Sequence, residues 1–142
     1  MQLVFPPYPL QTAEMDGKRL IFDVVRKKWV ALQPEEWVRQ HLIHYLVQDQ
    51  GIAPGRIGVE KEIRYHRLRR RFDVVVFGRD GLPWLLCECK APDVALSDAA
   101  LQQIARYNSV IRAPRLLVTN GLHLWVFDLD ETGAYRLSPG GL

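Results

Sequence analysis

Two apolar runs separated by turn residues mark the middle of the chain. Phe72–Phe77 and Trp84–Cys89 are rich in Val, Leu and aromatic residues, and Asp80-Gly81 lies between them. An Asp-Gly pair between such runs predicts a β-hairpin. With Asp80-Gly81 as the turn, Arg79 pairs with Leu82, Phe77 faces Trp84, Val75 faces Leu86 and Asp73 faces Glu88. Ile57–Tyr65 predicts a strand before the hairpin, with Glu60 either a further acid for a site or, by preference, a solvated position. Arg115–Thr119 is nearly all apolar, which suits a central strand covered on both faces. Asn120-Gly121 predicts a second turn, and His123–Leu129 returns as a strand. Upstream, Leu20–Val25 and Lys28–Leu32 predict a strand pair or one bent strand. Asp23 reads there as a surface residue.

Two stretches change period from two to about 3.6. Val38, Leu42, Tyr45 and Leu46 predict a helix from Pro34 to about Gln50, ended by Gly51. Proline suits its first turn, and Glu35 and Glu36 complement its dipole. Glu35 leads the apolar stripe and is poised to look inward. Glu36 points about a third of a turn away, and the spacing leaves open which acid serves a site. Leu101, Ile104, Asn108 and Ile111 predict a second helix, capped by Ser97 and ended by Ala113-Pro114. Gln103 and Tyr107 share one of its faces. This order predicts an α/β fold, a mixed central β-sheet flanked by helices in a single domain over residues 1–142. Residues 1–33 read as a Pro-rich arm and β extension, and 34–128 as the core.

Composition narrows the classes. The 142 residues are 48% hydrophobic and 25% charged, with a net charge of +3. That balance describes an ordinary globular chain and permits a nucleic-acid partner without demanding one. No apolar run reaches membrane-spanning length, and MQLVFPPYPL lacks the marks of a secretory leader. A cytoplasmic location is expected, with no membrane partner. The only cysteines, Cys87 and Cys89, sit two apart on one strand and read as buried core thiols. His41 and His44 lack a matching ligand pair and read as packed or surface residues.

The hairpin carries the candidate chemistry. Two carboxylates opposite one another on paired strands repel. A divalent cation between Asp73 and Glu88 removes that objection, and Lys90 shares a face with Glu88. A hard cation of the magnesium type takes oxygen ligands: Asp73, Glu88 and the backbone carbonyl of Cys89, with Glu35 as an outer contributor. Lys90 would lie beside a metal-bound water. Just before Asp73 comes a basic cluster, Arg64, Arg67, Arg69, Arg70 and Arg71, interleaved with Tyr65 and His66. Arginine forks suit phosphate.

These residues carry a resemblance. Asp73, then Glu88-Cys89-Lys90 and Ala91-Pro92, resemble the PD-(D/E)XK nuclease superfamily. More specifically, the chain looks like the N-terminal nuclease domain of type I restriction enzyme R subunits. PEEWVRQHLI (34–43) resembles the family's first-helix motif, RRRFDVVVF (69–77) its aspartate strand and CECKAP (87–92) its E-x-K strand. QIARY (103–107) resembles a Q-x-x-x-Y motif, and TNG (119–121) the following strand and turn. Phe72 stands where the superfamily often has proline.

The resemblance implies a restriction-endonuclease-like fold and a Mg²⁺-dependent (or Mn²⁺-dependent) endonuclease acting on DNA. Asp73 and Glu88 would bind metal, and Glu35 is the first-helix acid. Lys90 would position or activate water. Gln103 and Tyr107 would contact DNA or support the site, and Arg69, Arg70 and Arg71, from their own chemistry, are the expected phosphate contacts. A homodimer or restriction-system subunits are the expected partners. No G-x-x-x-x-G-K-[ST] motif occurs, so ATP-driven translocation is not expected of these residues. The second reading is an inactive DNA-binding or protein-interaction module on the same fold.

Overall fold

A computed structural model describes residues 2–142. Nine strands and two α-helices follow one another as β1 (Thr12–Met15), β2 (Lys18–Asp23), β3 (Lys28–Ala31), α1 (Pro34–His44), β4 (Ile57–Tyr65), β5 (Leu68–Phe77), β6 (Pro83–Cys89), α2 (Asp98–Asn108), β7 (Arg115–Thr119), β8 (Leu124–Leu129) and β9 (Tyr135–Leu137). β1–β3 form a small antiparallel meander, and β4–β9 form a six-stranded sheet in sequential order. Only β6 and β7 run parallel, joined by the α2 crossover. The expected mixed sheet with flanking helices is therefore the observed architecture.

The two helices cover opposite faces of the sheet. Val38, Leu42, Ile43 and Leu46 of α1 pack with Val74, Val76, Leu85, Cys87, Cys89 and Leu117. Leu101 and Ala105 of α2 pack with Val75, Leu86, Leu116, Val118 and Phe127. Each Val, Leu or Phe side chain of the sheet fully withdrawn from water contributes about 1.5–3 kcal/mol. The nearly all-apolar β7 is central, as its composition requires. Ser97 caps α2, its hydroxyl accepting from the Ala100 amide at 3.1 Å.

Several expectations need correction. The first helix is α-helical only to His44 and then widens into a π-helical stretch, Tyr45–Asp49. β1 and β9 are short strands that the apolar pattern did not mark. Asp23 is not a surface residue: it is fully buried, bound by Arg26 and Gln40. The hairpin turn is also displaced. Gly81 N–H donates to Gly78 O at 3.0 Å, so Arg79 and Asp80 are the central pair. Gly81 follows at φ +80°, which suits glycine. Phe77 consequently pairs with Pro83, not Trp84, and Trp84 is the extra residue of a bulge. The longer turn and the bulge cancel, so Val75 still pairs with Leu86 as expected.

Candidate functional site

β5 and β6 part company at the site. Their pairing runs as far as Val74 with Cys87 and stops one step short of Asp73 and Glu88. In place of the next ladder bond, the Asp73 carboxylate takes the Cys89 amide, N to Oδ2, at 2.7 Å. Strand alternation breaks at the same point. Val74 and Val76 face α1, whereas Val75 and Phe72, three residues apart, both face α2. Opposite Asp73, Glu60 adopts φ +52°, a left-handed conformation. The strand thus swivels at Asp73 and places its carboxylate at the split between the two faces.

Two clefts open on that split. One, of about 680 Å³, is lined among others by Glu35, Glu36, Arg39, Glu60, Asp73 and Ala91. The other, of about 260 Å³, is lined by Glu88, Lys90, Gln103, Ile104, Tyr107 and Asn108. Lys90 follows the end of β6, its amide held by Thr119 O at 2.9 Å. The Asn120-Gly121 turn supports this corner, since Asn120 Nδ2 donates to Val94 O at 2.9 Å.

The electrostatics divide the acids into two sets. Burial pushes the Asp73 carboxyl above its ordinary range, against the Cys89 amide, Arg39 and Lys90, while Glu60 adds to the rise. Burial and then the Asp73 charge push Glu88 up, against Lys90 and Asn108. Glu35, expected to look inward, is open to water on one side; its partial burial and the Asp73 charge still push it up, with Lys90 and Arg39 opposing. These three acids and Lys90 therefore sense one another, and in each acid burial outweighs the cations and hydrogen-bond donors that oppose it. Glu36 behaves differently. Burial pushes it up, but the Arg39 fork and Gln40 outweigh that and hold it below its ordinary range. Of the two helix acids, Glu35 is the exposed one at the cleft and Glu36 is buried in ion pairs.

The expected arginines do not share one face. Arg70 lies over the Tyr107 ring at 4.1 Å, a cation–π contact on the α2 side. Arg69 and Arg71 alternate to the opposite side and are exposed. Gln103 and Tyr107 lie beside Glu88 and Lys90. Sequence reasoning missed Arg39 and Asn108; Glu60, read as a further site acid or a solvated position, is exposed and also lines the cleft. Asn108 Nδ2 donates to Ile104 O at 2.9 Å and lies 3.5 Å from Glu88 Oε1. Only its place one residue past Tyr107 on the helix hinted at it. Cys87 and Cys89 are buried, as expected of core thiols.

The donors available here are oxygen atoms with unused lone pairs, which suits a hard divalent cation. Glu88 has one long hydrogen bond, and Asp73 one short bond from an amide. Among the described residues, no three His, Cys, Asp or Glu side chains converge tightly enough to enclose an ion. Water, backbone carbonyl and substrate oxygens would have to complete any shell. No helix among the described residues is long and apolar enough to cross a membrane.

Comparison with known proteins fits the resemblance to type I restriction enzyme R subunits. No curated protein matches the chain. The family model for the type I restriction enzyme R protein N terminus matches residues 34–137. The match begins at the first residue of α1 and takes in the whole six-stranded sheet, β9 included. The chain belongs to the family of type I restriction enzyme R protein N termini.

Proposed function

We propose that this domain is a metal-dependent DNA endonuclease of a restriction system, with the PD-(D/E)XK arrangement of residues. The single observation that supports it most is the split between β5 and β6. It sets Asp73, Glu88, Glu35 and Lys90 within electrostatic reach of one another at the mouth of two clefts. Asp73 and Glu88 would hold Mg²⁺ or Mn²⁺, with the Cys89 carbonyl as a further donor. The cation would supply Lewis-acid activation of water and neutralise charge on the phosphate.

The chain's own residues divide the remaining work. The Lys90 ammonium orients a water and meets developing negative charge at the phosphate. Asn108 steadies Glu88, and the Cys89 amide fixes one oxygen of Asp73. Gln103 and Tyr107 flank Lys90 and would hold the substrate strand beside it. The basic residues of the β4–β5 hairpin would track the DNA backbone.

The test is plasmid nicking with Mg²⁺ or Mn²⁺. Wild type nicks, EDTA stops it, and Lys90→Ala and Asp73→Ala each reduce it by at least about a hundredfold, the scale of losing one electrostatic stabiliser. Equal behaviour of wild type and both variants defeats the proposal. Metal-independent DNA binding without nicking would instead favour an inactive DNA-binding module.

A further inference from the structure

Arg39 is the most heavily engaged side chain near the proposed site, and no role has yet been given to it. It belongs to α1, one helical turn beyond Glu35, and its side chain is 8% exposed. Its Nε donates to Glu36 Oε2 at 2.9 Å and its Nη2 to Glu36 Oε1 at 2.5 Å. Nη2 also lies 3.3 Å from Glu60 Oε1, and Nη1 lies 3.6 Å from Asp73 Oδ1. One planar group thus meets acids from α1, β4 and β5. Glu36 is itself braced by Gln40 Nε2 at 3.0 Å and by Arg26 Nη2 at 3.4 Å. Arg26 further reaches Glu60 Oε2 at 3.6 Å. The guanidinium cannot shift without breaking a bidentate pair, and such a pair fixes orientation as well as charge.

We propose that Arg39 is a positioning residue for the Asp73 carboxylate. Asp73 has one oxygen fixed by the Cys89 amide and the other faced by Arg39 Nη1. The amide bond directs one oxygen, and the guanidinium, an ion pair at 3.6 Å, draws the other to its side, so together they bias the plane of the carboxylate. They do so at the point where the strand leaves its ladder and no longer sets that plane itself. Glu36 is then the anchor of the Arg39 fork, and Glu60 restrains its outer nitrogen. The idea rests on the proposed metal role of Asp73. It assigns Arg39 no contact with substrate or metal.

The charge of Arg39 and its geometry make opposite demands, which allows them to be separated. A positive charge beside a metal ligand repels a cation, so charge alone predicts tighter metal binding when it is removed. Positioning predicts weaker binding. Mn²⁺ affinity is measured without DNA, by paramagnetic resonance of the free ion, on wild type, Arg39→Lys and Arg39→Gln. Arg39→Lys keeps the charge and the Glu36 ion pair but loses the fork. The expected result is that both variants bind Mn²⁺ at least about tenfold more weakly, the usual scale for a residue that orients a metal ligand. Unchanged affinity in Arg39→Lys with tighter binding in Arg39→Gln overturns the proposal and leaves the metal site standing. If thermal melting shows Arg39→Gln unfolded, Arg39→Lys decides alone by the same criterion. A wild type that takes up no Mn²⁺ overturns both the metal reading and the role of Arg39.

Discussion

Asp23 and Glu36 on one side, and Asp73, Glu88 and Glu35 on the other, show how neighbouring carboxylates acquire opposite linkage to stability. Burial acts against ionisation in all five. Asp23 answers it with the Arg26 and Val25 amides, the Arg26 guanidinium and Gln40, so its carboxyl ends below the ordinary range. Its contribution is present above the ordinary carboxylate pKa and is lost as pH falls through the lowered one. Asp73 ends above the ordinary range, so the sign reverses. Between the two values the native state holds more protons than the unfolded one, and stability falls as pH rises. In EDTA, Asp73→Asn should therefore melt higher than wild type, with a gap that opens as pH rises above the ordinary carboxylate range. Mg²⁺ should raise the melting temperature of wild type but not of the variant. A variant that melts at or below wild type throughout that range would contradict a raised Asp73 carboxyl. Asp23→Ala should do the reverse. It leaves Arg26 and Gln40 short of a buried partner, costing about 3–5 kcal/mol by chemical denaturation. Nothing in the sequence flagged Asp23, because its partners come from the next turn and from a helix.

At the scale of elements, the sequence was most legible where one local rule dominated. Short apolar runs bounded by turn residues identified β4 to β8, and the 3.6-residue stripe identified α1 and α2. The three residues of β9 and four of β1 are too few to show a period, and they exist because a longer neighbour offers an edge. The β5–β6 turn shows a subtler limit. Asp-Gly is compatible with a two-residue turn and with a longer one ending in a left-handed glycine, and sequence alone does not choose. The expected register survived because a bulge at Trp84 compensated, which no local rule anticipates. The second turn was plainer. Gly121 has φ +86°, and a Cβ there would stand 3.0 Å from both Leu3 Cδ2 and Val38 Cγ2. Its carbonyl also accepts the Val4 amide at 2.6 Å, docking the N-terminal arm on the hairpin. Gly121→Ala should cost about 1–3 kcal/mol by chemical denaturation, combining backbone strain with overpacking. Backbone amides of the arm should then exchange with solvent faster than in wild type, while those of β7 stay protected. Equal protection of the arm in both proteins would show that the arm does not depend on this turn.

The whole molecule places the candidate site at one end of the sheet and a basic ribbon beyond it. β6 and β7 both end at the site, whereas the Gly78–Leu82 turn lies at the other end. β5 pairs with β6 only from Val74 onward, yet it pairs with β4 back to Leu68 opposite Tyr65. The stretch from Asp73 to Leu68 therefore projects as a two-stranded ribbon, about 17 Å long at about 3.4 Å per residue. It carries Lys61, Arg64, Arg67, Arg69, Arg70 and Arg71 against Glu60 and Glu62. Arg64 and Arg69 stand directly opposite each other in the ribbon, an arrangement that favours a polyanion between or beside them. Arg70 is committed to Tyr107, so it braces the ribbon against α2 while Arg64, Arg67 and Arg69 remain outward. If the proposed scissile phosphate sits at Asp73, the ribbon tip reaches about five base pairs away, at about 3.4 Å per pair. Replacing Arg64, Arg67 and Arg69 together by alanine should weaken DNA binding similarly for all sequences. The slope of log K against log salt should flatten by about 2–3, near 0.9 per lost phosphate contact. The DNA length needed for full affinity should shorten on one side by about five base pairs, and Mn²⁺ affinity should stay at the wild-type value because none of the three touches Asp73 or Glu88. An unchanged salt slope would mean that DNA approaches the clefts from another direction, along α2 or the meander instead of the ribbon.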